Sequence, residues 1–273
     1  MQKIDRIDAG KPFDFGRTSG DYGRYRDIYP ASLYRKLRTF GVVTPGSSVL
    51  DVGTGTGVLP RHLADSGANL TGTDISPEQI KEARRLSEGL PIRYEVATAE
   101  NVPFPDRSFD AVTACQCFHY FDPDRFTAEL KRVLKPGGLF CRIDMEWLPF
   151  EDEIARLTEE VVLRYNPAWN GKEFRPEPPA VPEWACHGFE LETWHACREE
   201  LPFTIDSWSG RIRTCRGVGA SLEPSEIAAF EAELRRRLAE VSDGAFTIRH
   251  WLRGCFCTGC RSGRGLYAFV RGL

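Results

Sequence analysis

The chain has 273 residues, of which 41% are hydrophobic and 27% charged, and carries a formal charge of -3. That length supports one large core, no apolar run approaches the roughly 20 residues of a membrane span, and the charge argues against a general nucleic-acid or membrane binder. The start, Met1-Gln2-Lys3-Ile4-Asp5-Arg6, lacks the apolar core of a signal peptide, so a cytoplasmic protein is expected and the nine cysteines read as reduced thiols. No acidic residue follows Asp243, whereas Arg249, Arg253, Arg261, Arg264 and Arg271 do, making the C-terminal end locally cationic.

Residues 1–46 read as an arm or lid followed by a helix from Pro30 to Phe40, with Leu33, Leu37 and Phe40 on one face. From Ser47 the pattern alternates. Strands are expected at Ser48 to Val52, Asn69 to Thr73, Ile92 to Val96, Phe109 to Cys115 and Leu139 to Met145, with helices from Gly57, Pro77 and Pro123 between them and a turn at Lys135 to Gly138. Ser76-Pro77-Glu78 and Asp122-Pro123-Asp124 place a capping side chain, a first-turn proline and an acid in order, a helix-start signature. Alternation of this kind predicts a doubly wound α/β fold: a parallel sheet with helices on both faces and the ligand at the strands' carboxyl ends. Residues 47–147 form the expected cofactor core. Residues 148–264 hold five of the six tryptophans, helical stripes at Phe150 to Tyr165 and Ile227 to Val241, and a strand near 189–194, and read as a cap on the substrate side; 265–273 reads as the final strand.

The stretch Asp51-Val52-Gly53-Thr54-Gly55-Thr56-Gly57 joins the first strand to the first helix. Glycines there allow positive φ and close approach of a ligand to the backbone. The acid ahead of the loop and the early third glycine depart from the dinucleotide fingerprint and suit a ligand with an ammonium group. Further motifs follow in order: Gly72-Thr73-Asp74-Ile75-Ser76, Ala99-Glu100-Asn101-Val102-Pro103-Phe104-Pro105-Asp106, Phe109-Asp110-Ala111-Val112 and Leu134-Lys135-Pro136-Gly137-Gly138. Together they resemble the class I S-adenosylmethionine-dependent methyltransferases, in particular the small-molecule branch called type 11.

The resemblance implies a Rossmann-like seven-stranded sheet, mostly parallel with the last strand antiparallel, and S-adenosyl-L-methionine as cofactor. It further implies that Gly53, Thr54, Gly55 and Gly57 approach the methionine portion and that Asp51 lies near its ammonium. Asp74 would accept hydrogen bonds from the ribose hydroxyls, a role suited to an acceptor-only carboxylate, and Ile75 would lie on the adenine face. Thr98, Ala99 and Glu100 are expected near the adenine, Thr98 standing where the family commonly has an aspartate. Cys115 and Gln116 are expected beside the sulfonium, with Tyr29 and Tyr22 as aromatic lid residues, Tyr22 on the substrate side. For each of Asp74, Ile75 and the tyrosines, an ordinary turn or packing role is the competing reading.

Methyl transfer from a sulfonium needs positioning and desolvation, and a base only where the acceptor carries a proton. His119 is the candidate base, with a pocket-shaping histidine as the alternative. Trp208, Arg211, Arg213 and Arg216 lie in the cap and are candidate substrate contacts, the arginines as a clamp on an acidic small molecule; a solvated helix face is the bland reading. Cys255, Cys257 and Cys260 are a weak metal candidate against reduced thiols in a loop. The expected function is methyl transfer to oxygen, nitrogen or carbon of a small molecule, a carboxylate-bearing one if the arginines act as a clamp, without membrane or nucleic-acid partners. The alternative is a catalytically inactive S-adenosylmethionine-binding sensor or partner subunit.

Overall fold

The computed structural model describes residues 1–181, 183, 185 and 188–259. Two helices precede the sheet, α1 (Ser19–Tyr25) and α2 (Ala31–Thr39). Then come β1 (Ser48–Val52), α3 (Val58–Leu63), β2 (Asn69–Asp74), α4 (Pro77–Leu86), β3 (Ile92–Val96), β4 (Phe109–Cys115), α5 (Pro123–Val133) and β5 (Leu134–Trp147). The chain ends its described part with α6 (Glu153–Tyr165), β6 (Phe189–Thr204), α7 (Ile205–Arg213), α8 (Pro224–Val241) and β7 (Ala245–Gly259). The strands form one seven-stranded sheet in the order β3-β2-β1-β4-β5-β7-β6. β1 to β5 pair in parallel, and β7 runs antiparallel to both of its neighbours.

Local sequence explains most of these elements. Ser76 Oγ accepts the Gln79 N–H at 3.3 Å to start α4, and Asp122 Oδ1 accepts the N–H groups of Asp124 and Arg125 at 3.1 and 3.0 Å to start α5, each helix having proline in its first turn. The apolar face of α5, Phe126, Leu130 and Val133, is buried against the sheet, each side chain contributing about 1.5–3 kcal/mol by leaving water. β1 alternates as a strand with two covered faces must: Val49 belongs to one core, Leu50 and Val52 to the other. The larger core joins α2, α3, α6, α7 and α8 to one face of the sheet, where α4 also packs against Ile92 and Tyr94 of β3; α5 covers the other.

Three boundaries differ from the sequence reading. The predicted turn at Lys135 to Gly138 is absorbed into β5 as an irregularity: Phe109 pairs with Leu134, but Ala111 pairs with Leu139, and Gly137 takes φ +76° to bend the strand. The strand predicted at 189–194 continues to Thr204. The antiparallel strand is Ala245–Gly259, although the sequence reading placed Cys255 and Cys257 in a loop; Ile248, Leu252 and Phe256 face the larger core while arginines between them mask the alternation. The strand predicted at 265–270, like Cys260, lies outside the described residues. Residues 148–259 thus supply two strands of the sheet as well as the helices α6, α7 and α8.

Candidate active site

β1, β2 and β4 end on one side of the sheet, and a cavity of about 670 Å³ opens over their carboxyl ends. The loop after β1 is shaped by backbone conformation: Gly53, Gly55 and Gly57 take φ of +63°, +56° and +75°, which a side chain would oppose. A Cβ on Gly53 would stand 2.7 Å from Cys117 Sγ, and one on Gly57 would overlap the Tyr94 ring. Gly53 and Gly55 line the cavity.

Asp51 sits behind the loop instead of facing the cavity. Its oxygens accept hydrogen bonds from the hydroxyls of Thr54 and Thr113, both at 2.6 Å, and burial pushes its pKa up to about 6. Through these bonds Asp51 fixes Thr54 and so the path of the loop. Thr54 and Gly57 likewise shape the loop from behind and do not line the cavity.

Asp74, at the end of β2, lines the cavity and binds the loop opposite: one carboxylate oxygen accepts the Gly55 N–H and the other the Ser76 N–H, both at 2.9 Å. Burial raises its pKa. Ile75 is 49% exposed although large and apolar, and it too lines the cavity. Thr98, Ala99 and Glu100 complete that end; Glu100 also accepts the Asp122 N–H at 2.9 Å and ties the wall to α5. A carboxylate beside an exposed apolar side chain, above a loop of left-handed glycines, fits a nucleoside with its hydroxyls on Asp74 and its base on Ile75.

Cys115 and Gln116 line the opposite end. Gln116 holds a left-handed φ of +62°, uncommon for a side chain of its size, and its amide donates to the Met145 carbonyl. Tyr22 closes the cavity from above, its ring edge 3.4 Å from where a Cβ on Gly55 would stand, which puts it over the glycine loop. Tyr29 does not reach the wall; it packs behind Cys115 with its hydroxyl on that thiol.

A second cavity of about 440 Å³ abuts the first and shares Phe15, Arg26, Gln116 and Tyr120 with it. Of the predicted substrate contacts, Arg211 and Arg216 line it, Tyr22 lines the first cavity instead, and Trp208 and Arg213 line neither. Trp208 is fully buried in the larger core, its indole N–H donating to Thr158 Oγ1 at 2.9 Å. Arg213 is spent on Asp21, through two bonds of 2.6 and 2.9 Å, and on Glu231 at 2.5 Å. Arg216 faces the cavity while gripping the buried Asp8 carboxylate at 2.7 and 3.0 Å. Arg211 is 3% exposed, its Nε has no hydrogen-bond partner among the described residues, and its Nη1 donates to Cys215 Sγ at 2.9 Å. Burial and then the neighbouring Arg26 lower its pKa.

His119 opens onto the second cavity and packs against Tyr120, with ring centroids 4.0 Å apart and planes tilted by 48°. Desolvation within the cleft, followed by the charge of Arg216, holds its imidazole below the usual range. The sequence reading missed Arg26 and Glu146. Arg26 stands at the junction of the cavities, 3.1 Å from Tyr22 Oη. Glu146 lines the second cavity, and burial followed by Asp144 pushes its pKa up to about 7. A signal for Glu146 existed: acids at Asp144 and Glu146 alternate with Ile143 and Met145 in a strand otherwise built for burial.

Cys255 and Cys257 are buried within β7, their thiol pKa values raised by burial. Among the described residues no group of three or more His, Cys, Asp or Glu side chains converges as a metal site, and no helix is long and apolar enough to cross a membrane.

Residues 50–142 match the methyltransferase domain family. An uncharacterised methyltransferase of Mycobacterium tuberculosis is 32% identical over 167 residues, covering 60% of this chain and 65% of the relative. The chain thus spans just under two thirds of that relative's length. A 2-methyl-6-phytyl-1,4-hydroquinone methyltransferase of Synechocystis is 44% identical over 125 residues, 44% of this chain and 39% of the relative. Among solved structures, the YcgJ protein of Bacillus subtilis shares the fold at a TM-score of 0.52 with 22% identity, covering 85% of this chain and 99% of that one.

Proposed function

We propose that this chain, whose residues 50–142 match the methyltransferase domain family, is an S-adenosylmethionine-dependent methyltransferase that methylates a small organic acid held in the second cavity. The cofactor supplies a methyl group already activated on a sulfonium. The chain's own residues position and desolvate. Asp74 takes the ribose hydroxyls, Ile75 flanks the adenine, the Gly53 to Gly55 backbone carries the methionine portion, and Phe15 with Tyr22 covers them from the N-terminal side.

The observation that carries this reading is the shared wall. Phe15, Arg26, Gln116 and Tyr120 border both cavities, so a ligand in the second meets a cofactor in the first across these side chains. The second cavity is lined by seven basic residues, Arg6, Arg26, Arg142, Lys172, Arg211, Arg216 and Arg253, against two acids, Asp144 and Glu146. Asp144 is taken by Arg142 and Arg253, and Arg216 by Asp8. Arg26 and Arg211 have no carboxylate partner among the described residues. A buried guanidinium left without a counter-charge is costly, and an anionic ligand offsets that cost. The quinone-type substrate in a relative's name supports a small-molecule acceptor; its matched stretch covers 39% of that protein, too little to carry its substrate over.

The test is S-adenosylhomocysteine release from S-adenosylmethionine with paired small carboxylic acids and their amides. Acids are expected to react at least about tenfold faster, a preference worth roughly 1.4 kcal/mol, and Arg211→Met should remove it. Equal rates with acids and amides would sink the acidic acceptor. Binding of S-adenosylmethionine with no release from any pair would favour a cofactor-binding subunit without catalysis.

A further inference from the structure

We propose that Glu146 is the catalytic base of this site, taking the proton from the acceptor atom as that atom is methylated; the inference rests on the methyl-transfer reading above. The argument begins with the alternation of β5. Cys141, Ile143, Met145 and Trp147 pack into the larger core, which leaves Arg142, Asp144 and Glu146 on the opposite side of the strand. The two carboxylates have divergent surroundings. Asp144 accepts a hydrogen bond from Arg253 Nη2 at 2.8 Å and forms an ion pair with Arg142, whose Nε lies 2.9 Å away, and these arginines hold its carboxyl below the usual range against its burial. Glu146 has neither a salt bridge nor a hydrogen bond to its side chain among the described residues, and it faces the cavity.

Its position suits the role. The Gln116 side chain, on the wall that both cavities share, donates to the Met145 carbonyl, so the peptide leading into Glu146 is tied to that wall. The charged groups acting on Glu146 are Asp144 from its own strand, Arg253 from β7, Arg211 from α7 and Arg26 from the segment after α1. Burial and Asp144 raise its pKa to about 7 and the arginines oppose the rise, which leaves a carboxylate whose basicity matches neutral solution. His119, kept neutral by desolvation and surrounded by arginines, is a much weaker proton acceptor.

In the step, the acceptor's X–H bond breaks and its proton passes to the Glu146 carboxylate. A bond forms from X to the methyl carbon, and the sulfur–carbon bond breaks with its electron pair retained by sulfur. The proton then leaves to water through the cavity. The ionised carboxylate is the active form, so transfer to a protic acceptor rises with pH through about 7 and levels above it.

4-Hydroxybenzoate separates the possibilities because it offers two acceptor oxygens, a carboxylate that carries no proton at pH 7 and a hydroxyl that does. Ether and ester products are resolved by chromatography and mass spectrometry. Glu146→Gln is expected to lower the ether-to-ester ratio about a hundredfold and to remove the rise of ether formation near pH 7, with Glu146→Asp in between. Carbon-13 NMR of the protein with S-adenosylhomocysteine bound should show a carboxyl titrating near pH 7 that Glu146→Gln lacks, and calorimetry with S-adenosylhomocysteine checks that the variant is folded. An unchanged ratio in Glu146→Gln, or ester as the sole wild-type product, overturns the assignment of Glu146. Absence of both products in wild type and variants alike removes instead the methyl-transfer reading beneath it.

Discussion

The two cavities are built by different means. The first is made largely from one continuous stretch, in which the loop after β1, the end of β2 and the end of β4 present backbone and short-range contacts such as Gly55 to Asp74. The second is assembled from side chains far apart in sequence: Arg26, Glu146 and Arg211, together with an Asp8 to Arg216 pair separated by 208 positions. A cofactor common to a family can be held by geometry that the fold repeats. An acceptor particular to one protein is recognised by charges that only the assembled chain brings together.

That contrast can be broken most directly at Arg216. Asp8 is 1% exposed, and Arg216→Ala would strand its carboxylate; loss of one partner of a buried pair costs about 3–5 kcal/mol. The expected result is a large drop in melting temperature with faster proteolysis of residues 1–18, measured beside Arg213→Ala, whose more exposed ion pairs should matter less. If the two variants melt alike, the arm is not held by this pair.

A smaller effect should appear in the pH dependence of stability. The pKa of Asp51 rises from 3.8 to about 6 and that of Glu146 from 4.5 to about 7. Because both are raised by folding, their ionisation opposes the folded state. The cost is absent below the unfolded values near pH 4 and fully present above about pH 7. Each amounts to on the order of 3 kcal/mol before relaxation. The melting temperature of the wild type should therefore fall, between pH 4 and 8, relative to an Asp51→Asn/Glu146→Gln variant; parallel curves would show that one or both carboxyls are better solvated than their burial implies.

The smallest of the three effects sharpens the contrast from the donor side. Asp74→Asn keeps the shape of the β2 terminus but removes the charge from its hydrogen bonds. S-adenosylhomocysteine affinity, measured by calorimetry, should weaken about tenfold, while the preference for acids over amides stays unchanged. A simultaneous loss of that preference would mean that the two cavities are not independent.

What could be read without coordinates follows the same division. The strands β1 to β4, the caps of α4 and α5, the glycine loop and Asp74 were legible because each depends on residues within a few positions of one another. β7 was not, since the arginines and Trp251 on one side of it concealed the buried Ile248, Leu252 and Phe256. Among the substrate residues, Trp208 and Arg213 looked as available as Arg211, for composition does not reveal that Trp208 fills the core or that Asp21 and Glu231 occupy Arg213.

The sequence by itself determined the donor half: a strand, a loop of three left-handed glycines and a carboxylate at the next strand's end, all set by local backbone preference. Only the tertiary structure decided which charges remain free. A guanidinium or carboxylate is available to a ligand when no distant partner neutralises it, and partners such as Asp8 and Arg253 reach the site solely through the packing of the arm and β7 around the sheet. For that physical reason Arg26, Arg211 and Glu146 emerged as the open groups, and Arg213 did not.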